Sequence, residues 1–222
     1  MANINNESKI TLYEEKSAEY YQRLNQVVVS LLQPAERMFE LGCADGILGK
    51  VLREKNLFHE MYGIEIHAPS AEIAKPWYNR IFVSDIEGFD LSKVPEVNAI
   101  LCADVLEHLI DPWSLLNKLT QKLHNNGYII LSIPNARHIR VWGGLVFKGR
   151  FDYQTSGVLD KGHLRFFTLA NLKELFEKNN LFIDQVVCNM APKGNLLNLL
   201  SLGLLKEFFT FQYVFRLRKK NP

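Results

Sequence analysis

Short apolar runs alternate with stretches of helical periodicity along most of this chain. The first clear unit begins with an apolar run at Met38–Leu41, which is long enough for one buried strand. The small and turn-forming residues of Gly42–Gly46 follow, and from Ile47 to Asn56 the apolar positions recur at helical spacing. The pattern predicts a strand, a tight glycine turn and a helix. Such a turn brings bare backbone and a helix N-terminus close to a ligand.

The same alternation of strands and helices continues to the end of the chain. Further strands are predicted at 61–66, 80–84, 97–102, 128–133, 181–189 and 208–220. Helices are predicted at 7–32, at 68–78, from Pro112 to a stop signal at 125–127, from Thr168 to 180, and at 194–207. Strands that alternate with helices in this way predict an α/β fold with a mostly parallel sheet and helices on both faces.

The glycine turn does not fit a dinucleotide-binding fingerprint. In that register Gly42, Ala44 and Ile47 stand in the three glycine positions. The third position needs a small residue so that helix and strand can pack closely, and the branched Ile47 does not supply it. An acid, Glu40, ends the strand before the turn instead. The turn is therefore expected to bind a different ligand, with a plain strand-to-helix connection as the alternative.

A second acid stands at the end of the second predicted strand. Glu65 comes nineteen positions after Gly46. A carboxylate in this place can accept hydrogen bonds from both hydroxyls of a ribose, because it is an acceptor only. The alternative is an ordinary surface glutamate at a strand end.

The stretch Ala103–Pro112 follows the fourth predicted strand, at the edge of the sheet where ligands bind. If it is helical, Asp104, Glu107 and His108 lie on one helix face. Two carboxylates and an imidazole on one face can hold a divalent cation. We nevertheless expect no metal, since the short side chain of Asp104 extends its carboxylate less far toward a shared cation. Glu107 can instead form a hydrogen bond to the following loop. His108 is expected to line the pocket.

Residues 134–167 break the alternation of strands and helices. The segment is long, aromatic and punctuated by glycine, which is typical of a binding loop or a lid. It carries two acidic residues and six basic ones, a net charge of +4 where the whole chain has +2: Arg137, Arg140, Lys148, Arg150, Lys161 and Arg165. This excess favours an acceptor with a carboxylate or phosphate group. A solvated basic surface is the alternative.

Composition narrows the class of protein. The chain has 222 residues, of which 47% are hydrophobic and 23% charged, as expected for one globular domain. A net charge of +2 gives no reason to expect a nucleic-acid partner. The three cysteines are far apart, and neither a signal peptide nor a membrane-spanning apolar run is found. We therefore expect a reduced, cytoplasmic protein without an integral membrane segment, as a monomer or homodimer.

The stretch from Glu40 to Gly46 resembles the first motif of the class I S-adenosylmethionine (SAM) methyltransferases, with Ala44 in place of the middle glycine. The resemblance implies a Rossmann-like seven-stranded sheet whose last strand is antiparallel beside the fifth. It also implies SAM as cofactor and S-adenosylhomocysteine (SAH) as product. The implied cofactor-binding residues are Glu40, Gly42, Cys43, Ala44, Asp45, Gly46, Glu65, Ile66, Asp85, Ile86, Ala103, Asp104 and Tyr21.

The resemblance also implies a role for several of these residues. Glu40 and the loop backbone would hold the methionine end of SAM. Asp85 would accept from the adenine amino group, with Ile86 packed beside the ring. Tyr21 lies on an N-terminal helix that would cover the pocket, and it could instead be an amphipathic packing residue.

Two later stretches point to narrower groups. Leu106–Pro112 resembles the signature of the methyltransferases that include the ubiquinone-biosynthesis O-methyltransferases. That group has a comparable acid-x-x-Glu-His arrangement, and the resemblance implies that some of its members use a metal. Gly157–Thr168 looks like the methyltransferases of bacterial polysaccharide and glycan biosynthesis. The second likeness makes His163 a candidate general base, with His108 next, since neutral imidazole accepts a proton near pH 7. Alternatively, His163 only bridges the loop.

Together these patterns predict methyl transfer from SAM to an oxygen or nitrogen of a small acceptor, either neutral or anionic, with a sugar or sugar nucleotide favoured. The alternatives are a SAM-binding module without catalysis, a nicotinamide-dependent dehydrogenase and an RNA methyltransferase. We expect one domain over 1–222, made of a helical lid (1–33), a SAM-binding core (36–133), a substrate or lid insertion (134–167) and a C-terminal helix with strands (168–222). The apolar 196–215 region is expected to be lid and strand, or else to dock on a membrane or a second subunit.

Overall fold

A seven-stranded sheet forms the centre of the protein, which a computed structural model describes from residue 24 to residue 220. The strands are β1 (Ala35–Leu41), β2 (Phe58–Glu65), β3 (Arg80–Val83), β4 (Val97–Ala103), β5 (Leu123–Pro134), β6 (Leu181–Met190) and β7 (Thr210–Lys219). Their order across the sheet is β3-β2-β1-β4-β5-β7-β6. Neighbours among β1 to β5 are parallel, whereas β7 is antiparallel to β5 and β6. The predicted Rossmann-like α/β fold is confirmed.

Helices cover both faces of this sheet. The α-helices of the described chain are α1 (Gln26–Leu31), α2 (Ile47–Glu54), α3 (Ala68–Ala74), α4 (Pro112–Lys122), α5 (Ile139–Lys148), α6 (Leu169–Lys178), α7 (Pro192–Leu200) and α8 (Lys206–Phe209). Successive strand side chains point to opposite faces, so Ile100 and Leu101 of β4 enter different apolar clusters. Leu116 of α4 packs in the first cluster and Leu52 of α2 in the second.

The first unit of the chain forms as predicted. β1 leads into the glycine turn, and α2 begins at Ile47. Gly46 is the residue before the helix and has φ +75, a left-handed conformation that favours glycine. A Cβ at Gly46 would lie 2.7 Å from Cβ of Ala74, so the turn is also closely packed against α3.

Residues 125–127, which were predicted to end the helix in a turn, lie within strand β5 instead. β5 begins at Leu123, directly after α4, and the register shifts between the pairs Val97–Leu123 and Ala99–Tyr128. The extra residues form an irregularity within the strand. A Cβ at Gly127 would lie 2.7 Å from the carbonyl oxygen of Asn98. The glycine therefore permits close strand approach here, which a sequence pattern does not distinguish from a turn.

Two C-terminal segments differ from their predicted form. The supposedly irregular region after β5 contains helix α5, which is preceded by His138 and followed by Gly149 with φ +61. The predicted helix at 194–207 is divided into α7 and α8, with turns between them. The predicted last strand is confirmed as β7.

Most of the predicted N-terminal helix, including Tyr20 and Tyr21, lies outside the described residues. Its final part is present as α1, in which Asn25 caps the N-terminus by accepting from the backbone N–H of Val27 at 3.1 Å. Among residues 24–220, no helix combines the length and the apolar character needed to cross a bilayer.

Candidate active site

The glycine turn follows β1, and backbone hydrogen bonds hold it against the carboxyl end of β2. Gly42 N–H donates to the carbonyl oxygen of Ile64 at 2.9 Å, and Gly46 N–H donates to that of Cys43 at 2.9 Å. Gly42, Ala44 and Gly46 all have positive φ, of 65°, 45° and 75°. A left-handed alanine is strained, so this conformation is imposed by its surroundings.

Glu65 imposes it. Its Oε2 accepts from the N–H of Ala44 at 2.9 Å, and its Oε1 accepts from the N–H of His67 at 2.8 Å. The side chain is almost fully buried, and this burial raises the pKa of Glu65, against the lowering effect of the backbone N–H groups of His67, Ala44 and Ile66. Glu65 thus joins the turn to the end of β2, the position that was predicted to bind ribose, with Ile66 half-buried next to it.

Glu40 is directed into the core. Its Oε2 accepts from the hydroxyl of Tyr78 at 2.6 Å, and both side chains are buried. Desolvation, followed by the Coulomb effect of Glu65, raises the pKa of Glu40 to about 8 against the lowering hydrogen bond from Tyr78. A Cβ at Gly49 would lie 2.4 Å from the Tyr78 ring. The Glu40–Tyr78 pair therefore supports the turn from below, and it depends on a glycine in α2.

The remaining residues of the turn present different groups. The side chain of Cys43 is buried, and burial together with the charges of Glu40 and Glu65 raises the pKa of its thiol. Cys43 is therefore limited to backbone contacts with a ligand. Asp45 is half-buried at the top of the turn.

Asp85 and Ile86 lie beyond the end of β3, next to β2. The N–H of Ser84 donates to the carbonyl oxygen of Glu65 at 3.0 Å, which brings the two strand ends together. Asp85 Oδ1 accepts from the N–H of Glu87 at 3.0 Å, and Ile86 packs in the core. The structure thus places these predicted adenine contacts next to the predicted ribose contact.

Asp104 lies at the end of β4, after Ala103, and turns away from Glu107 and His108. It has φ +54, and a helix forms only at Leu106–His108, as one 3-10 turn. The Asp104 carboxylate accepts from the Ser132 hydroxyl at 2.9 Å and from Gln212 Nε2 at 2.8 Å. The helical face that would have grouped Asp104 with Glu107 and His108 is therefore absent, because Asp104 bonds across the sheet to β5 and β7.

Glu107 and His108 instead meet His163. Glu107 and His163 are buried and His108 is half-buried; one donor atom from each residue lies within 4.8 Å of the other two. His163 Nε2 is 4.0 Å from Glu107 Oε1, and the two imidazole rings are 4.8 Å apart. The N–H groups of Leu164 and Arg165 donate to the carbonyl oxygen of Glu107 at 2.8 and 3.0 Å, which fixes the later segment on the end of β4.

Backbone carbonyl groups orient both imidazoles. His108 Nδ1 lies 2.9 Å from the carbonyl oxygen of Gly162, and His163 Nδ1 lies 3.0 Å from that of Val158. A carbonyl oxygen can only accept, so the hydrogen bonds assign a hydrogen to each Nδ1 and, in a neutral ring, a lone pair to each Nε2. Two imidazole nitrogens and a carboxylate can take up a proton or hold a cation.

Sequence reasoning did not identify several residues that build this site. Tyr78 and Gly49 support the turn, and Gln212 holds Asp104. Gln212 Oε1 also accepts from Asn189 at 2.8 Å and Asn25 at 3.3 Å. These side chains come from distant parts of the chain, and no local motif marks them.

Comparison with known proteins identifies the family. A family model described as a methyltransferase domain matches residues 13–186. The structure of a SAM-dependent methyltransferase from Archaeoglobus fulgidus is 17% identical, with a TM-score of 0.65 and coverage of 95% of this chain and 99% of that one. A putative S-adenosylmethionine-dependent methyltransferase from Listeria monocytogenes is 16% identical, with a TM-score of 0.60 and coverage of 88% and 96%.

A third similar structure is the mycolic acid cyclopropane synthase CmaA1 complexed with SAH and CTAB. It is 14% identical, with a TM-score of 0.64 and coverage of 87% of this chain and 82% of that one. No curated protein matches the chain by sequence. The family model spans well over half of the chain, and the solved structures share its fold. The chain therefore belongs to the methyltransferase domain family and has the fold of the class I SAM-dependent methyltransferases.

Proposed function

We propose that this protein transfers a methyl group from SAM to an oxygen or nitrogen atom of a small anionic acceptor, with a sugar or sugar nucleotide as the favoured class. The observation that carries this proposal is the arrangement at the carboxyl edge of the sheet. The buried Glu65 and the left-handed turn lie at the ends of β2 and β1, and the imidazoles of His108 and His163 lie beyond β4.

The groups at β1 and β2 fit SAM. Glu65 uses each carboxylate oxygen for one backbone N–H, and each oxygen has further lone-pair capacity for a ribose hydroxyl. Gly42 has φ +65 and a Cβ there would lie 3.2 Å from Val105, so glycine suits the place where the turn approaches the residues after β4. Bound there, SAM supplies a sulfonium-linked methyl group as the electrophile.

The other predicted cofactor contacts extend this assignment. Asp85 would accept from the adenine amino group beside Ile86, and the backbone of Ala103 and Asp104 would contact the methionine end. Glu40 acts indirectly in this proposal, because its carboxylate already accepts from Tyr78 in the core. Tyr21 remains the predicted aromatic contact of the N-terminal segment.

His163 is the first candidate for the base that removes the acceptor proton. Its Nδ1 is held by the carbonyl of Val158, so Nε2 carries the lone pair in the neutral ring. The nearby Glu107 carboxylate attracts the positive charge that forms when Nε2 takes up the proton. His108 has the same Nδ1 arrangement and is the second candidate. Each ring would orient and deprotonate the acceptor for in-line attack on the methyl group.

The charge next to this cluster supports an anionic acceptor. Lys161 is exposed two residues before His163, where its ammonium group can reach a phosphate or carboxylate. Two other cations of the segment have protein partners: Arg150 pairs with Asp152 at 2.9 Å, and Arg165 Nε donates to the carbonyl oxygen of Ile110 at 3.1 Å. The sugar class rests on the likeness of Gly157–Thr168 to glycan methyltransferases.

The test is SAH release from SAM with sugars, sugar nucleotides, small carboxylates and an RNA as acceptors. We expect turnover with an anionic sugar derivative, weakened by Lys161→Ala and not by the exposed Lys118→Ala. Turnover only with RNA would contradict the acceptor class. SAM binding without turnover on any acceptor would favour a binding module.

A chelator distinguishes a base from a metal site. Unchanged turnover after a chelator supports His163 as the base. Loss of turnover that added Mg²⁺ or Zn²⁺ restores would instead assign Glu107, His108 and His163 to a cation.

A further inference from the structure

An unusually apolar surface is formed by α5 and by the crossover from β6 to β7. Residues 139–150 and 192–206, here called the apolar-basic surface, carry eleven exposed large hydrophobic side chains: Ile139, Leu145, Val146, Phe147, Leu196, Leu197, Leu199, Leu200, Leu202, Leu204 and Leu205. Phe147 is 77% exposed, Leu204 84% and Leu202 91%. Scattered exposed leucines are ordinary, but a concentration of this kind marks an interaction surface.

Aromatic contacts join the two segments. The Trp142 ring of α5 lies 5.8 Å from the Phe147 ring and 5.6 Å from the Phe208 ring, which follows the crossover. Arg137, just before α5, pairs with Glu207 at 2.6 Å. The two segments are therefore neighbours on the surface of the molecule.

Every charge within these segments is positive. Residues 139–150 and 192–206 contain no aspartate or glutamate and five cations: Arg140, Lys148, Arg150, Lys193 and Lys206. The nearest acids, Asp152 and Glu207, pair with Arg150 of the surface and with Arg137 next to it. The complementary partner is therefore apolar and negatively charged.

The surface borders the active-site edge of the sheet. α5 follows the carboxyl end of β5, and Pro134 at that end pairs with Gln212 near the start of β7. Met190, at the end of β6, pairs with Thr210. The crossover therefore lies at the same edge as Asp104 and the histidine cluster.

We propose that the apolar-basic surface docks on an anionic lipid bilayer. Leucine, phenylalanine and tryptophan side chains can enter the interfacial region of a bilayer while lysine and arginine contact anionic headgroups. A second copy of the chain is a poorer occupant, because a two-fold interface would place the same cations opposite each other. Docking is peripheral, since no described helix can span the membrane.

The test is co-sedimentation of the full chain with vesicles of phosphatidylcholine alone and of phosphatidylcholine with phosphatidylglycerol. We expect at least about fivefold stronger partitioning onto the anionic vesicles, reduced by added salt. Leu199→Ser with Leu202→Ser should abolish binding, whereas Ile73→Ser should not, because Ile73 is 58% exposed on α3 at the other end of the sheet.

A charge variant tests the same proposal without altering apolar residues. Lys148→Glu with Lys193→Glu should remove the preference for anionic vesicles, and Lys118→Glu, exposed on α4, should not. Thermal unfolding checks that each variant is folded. Vesicle binding needs neither SAM nor an acceptor, so its failure is distinct from failure of the proposed reaction.

Three outcomes would overturn the proposal. The first is the absence of sedimentation with anionic vesicles. The second is binding that the leucine and lysine pairs leave unchanged. The third is a dimer in analytical ultracentrifugation that Leu199→Ser with Leu202→Ser dissociates, without vesicle binding by the wild type, which would assign the surface to a second copy.

Discussion

The two sides of the active-site edge are built in opposite ways. On the cofactor side, Glu40 and Glu65 are buried carboxylates that fix a strained turn through Tyr78 and backbone N–H groups. On the side that we propose receives the acceptor, α5 buries only Val141 and α7 only Gly194, and most of their large apolar side chains are exposed. The proposed cofactor turn is thus anchored in the hydrophobic core, whereas α5 and α7 lie on the surface beside the buried Glu107 and His163.

This difference has a functional consequence. Because the proposed cofactor turn is tied to the core, we expect changes there to affect folding and cofactor binding together. The acceptor side can change with little effect on the core, so acceptor choice and surface docking can vary on one scaffold. The network around Asp104 and Gln212 links the two sides.

The largest effect is expected at the cofactor turn. Gly46→Val should lower the free energy of unfolding by about 2–4 kcal/mol and remove SAM binding, since it strains a left-handed position. Its Cβ would also lie 2.7 Å from Ala74. Gly88→Val is the control, because a Cβ there meets nothing within 4 Å. Urea unfolding and SAM titration measure both effects, and equal behaviour of the two variants would contradict the account of the turn.

The next effect separates chemistry from binding. His163→Ala should lower kcat by about 10²–10⁴-fold through loss of the general base, with the Kd for SAM unchanged. His59→Ala changes an exposed histidine and should leave both constants as in wild type. Steady-state kinetics and calorimetry give the two constants. A His163→Ala enzyme with full kcat would move the base to His108 or remove the need for one.

The buried Glu40 predicts a pH dependence of stability. Its pKa is raised from 4.5 to about 8, so the folded state keeps a proton that the unfolded state loses. Between these values this group makes the free energy of unfolding fall as pH rises, with a slope that approaches about 1.4 kcal/mol per pH unit. Glu40→Gln should remove that contribution and make the profile flatter, whereas the exposed Glu54→Gln should not. Parallel profiles of wild type and Glu40→Gln in urea unfolding would refute this assignment.

The smallest effect concerns the link between the two sides. Gln212→Ala removes the hydrogen bonds to Asp104 and should cost about 1–3 kcal/mol of stability, because a partly buried carboxylate loses a donor. Gln185→Ala, exposed on the neighbouring β6, should have little effect. Chemical unfolding of both variants measures the difference. Equal stabilities would show that the Asp104–Gln212 contact contributes nothing.

The sequence predicted the parts of the molecule that local patterns encode. Strand and helix periodicity predicted the sheet, and the family resemblance added the antiparallel last strand. Short motifs placed Glu65 and the glycine turn at one edge, since Glu65 ends one strand and the turn immediately follows another. These features depend on residues close together in the chain.

Local patterns did not predict contacts between distant segments. Asp104 was grouped with Glu107 on a helix, but Ser132 and Gln212 hold it instead. His163 lies next to Glu107 because the N–H groups of Leu164 and Arg165 donate to the carbonyl oxygen of Glu107, which is more than fifty residues earlier in the chain. Helix α5 was missed because its glycines and aromatic residues resemble those of a loop.

The most direct test of the central claim is calorimetric titration of the wild type, Glu65→Ala and the exposed Glu72→Ala with SAM and SAH. We predict that both ligands bind the wild type and Glu72→Ala equally well. Glu65→Ala should bind about a hundredfold more weakly, since hydrogen bonds to a charged group contribute about 1.5–3 kcal/mol each. If cofactor-free wild type binds neither ligand, or if Glu65→Ala binds them as tightly as wild type, the assignment of this edge as the SAM site is wrong.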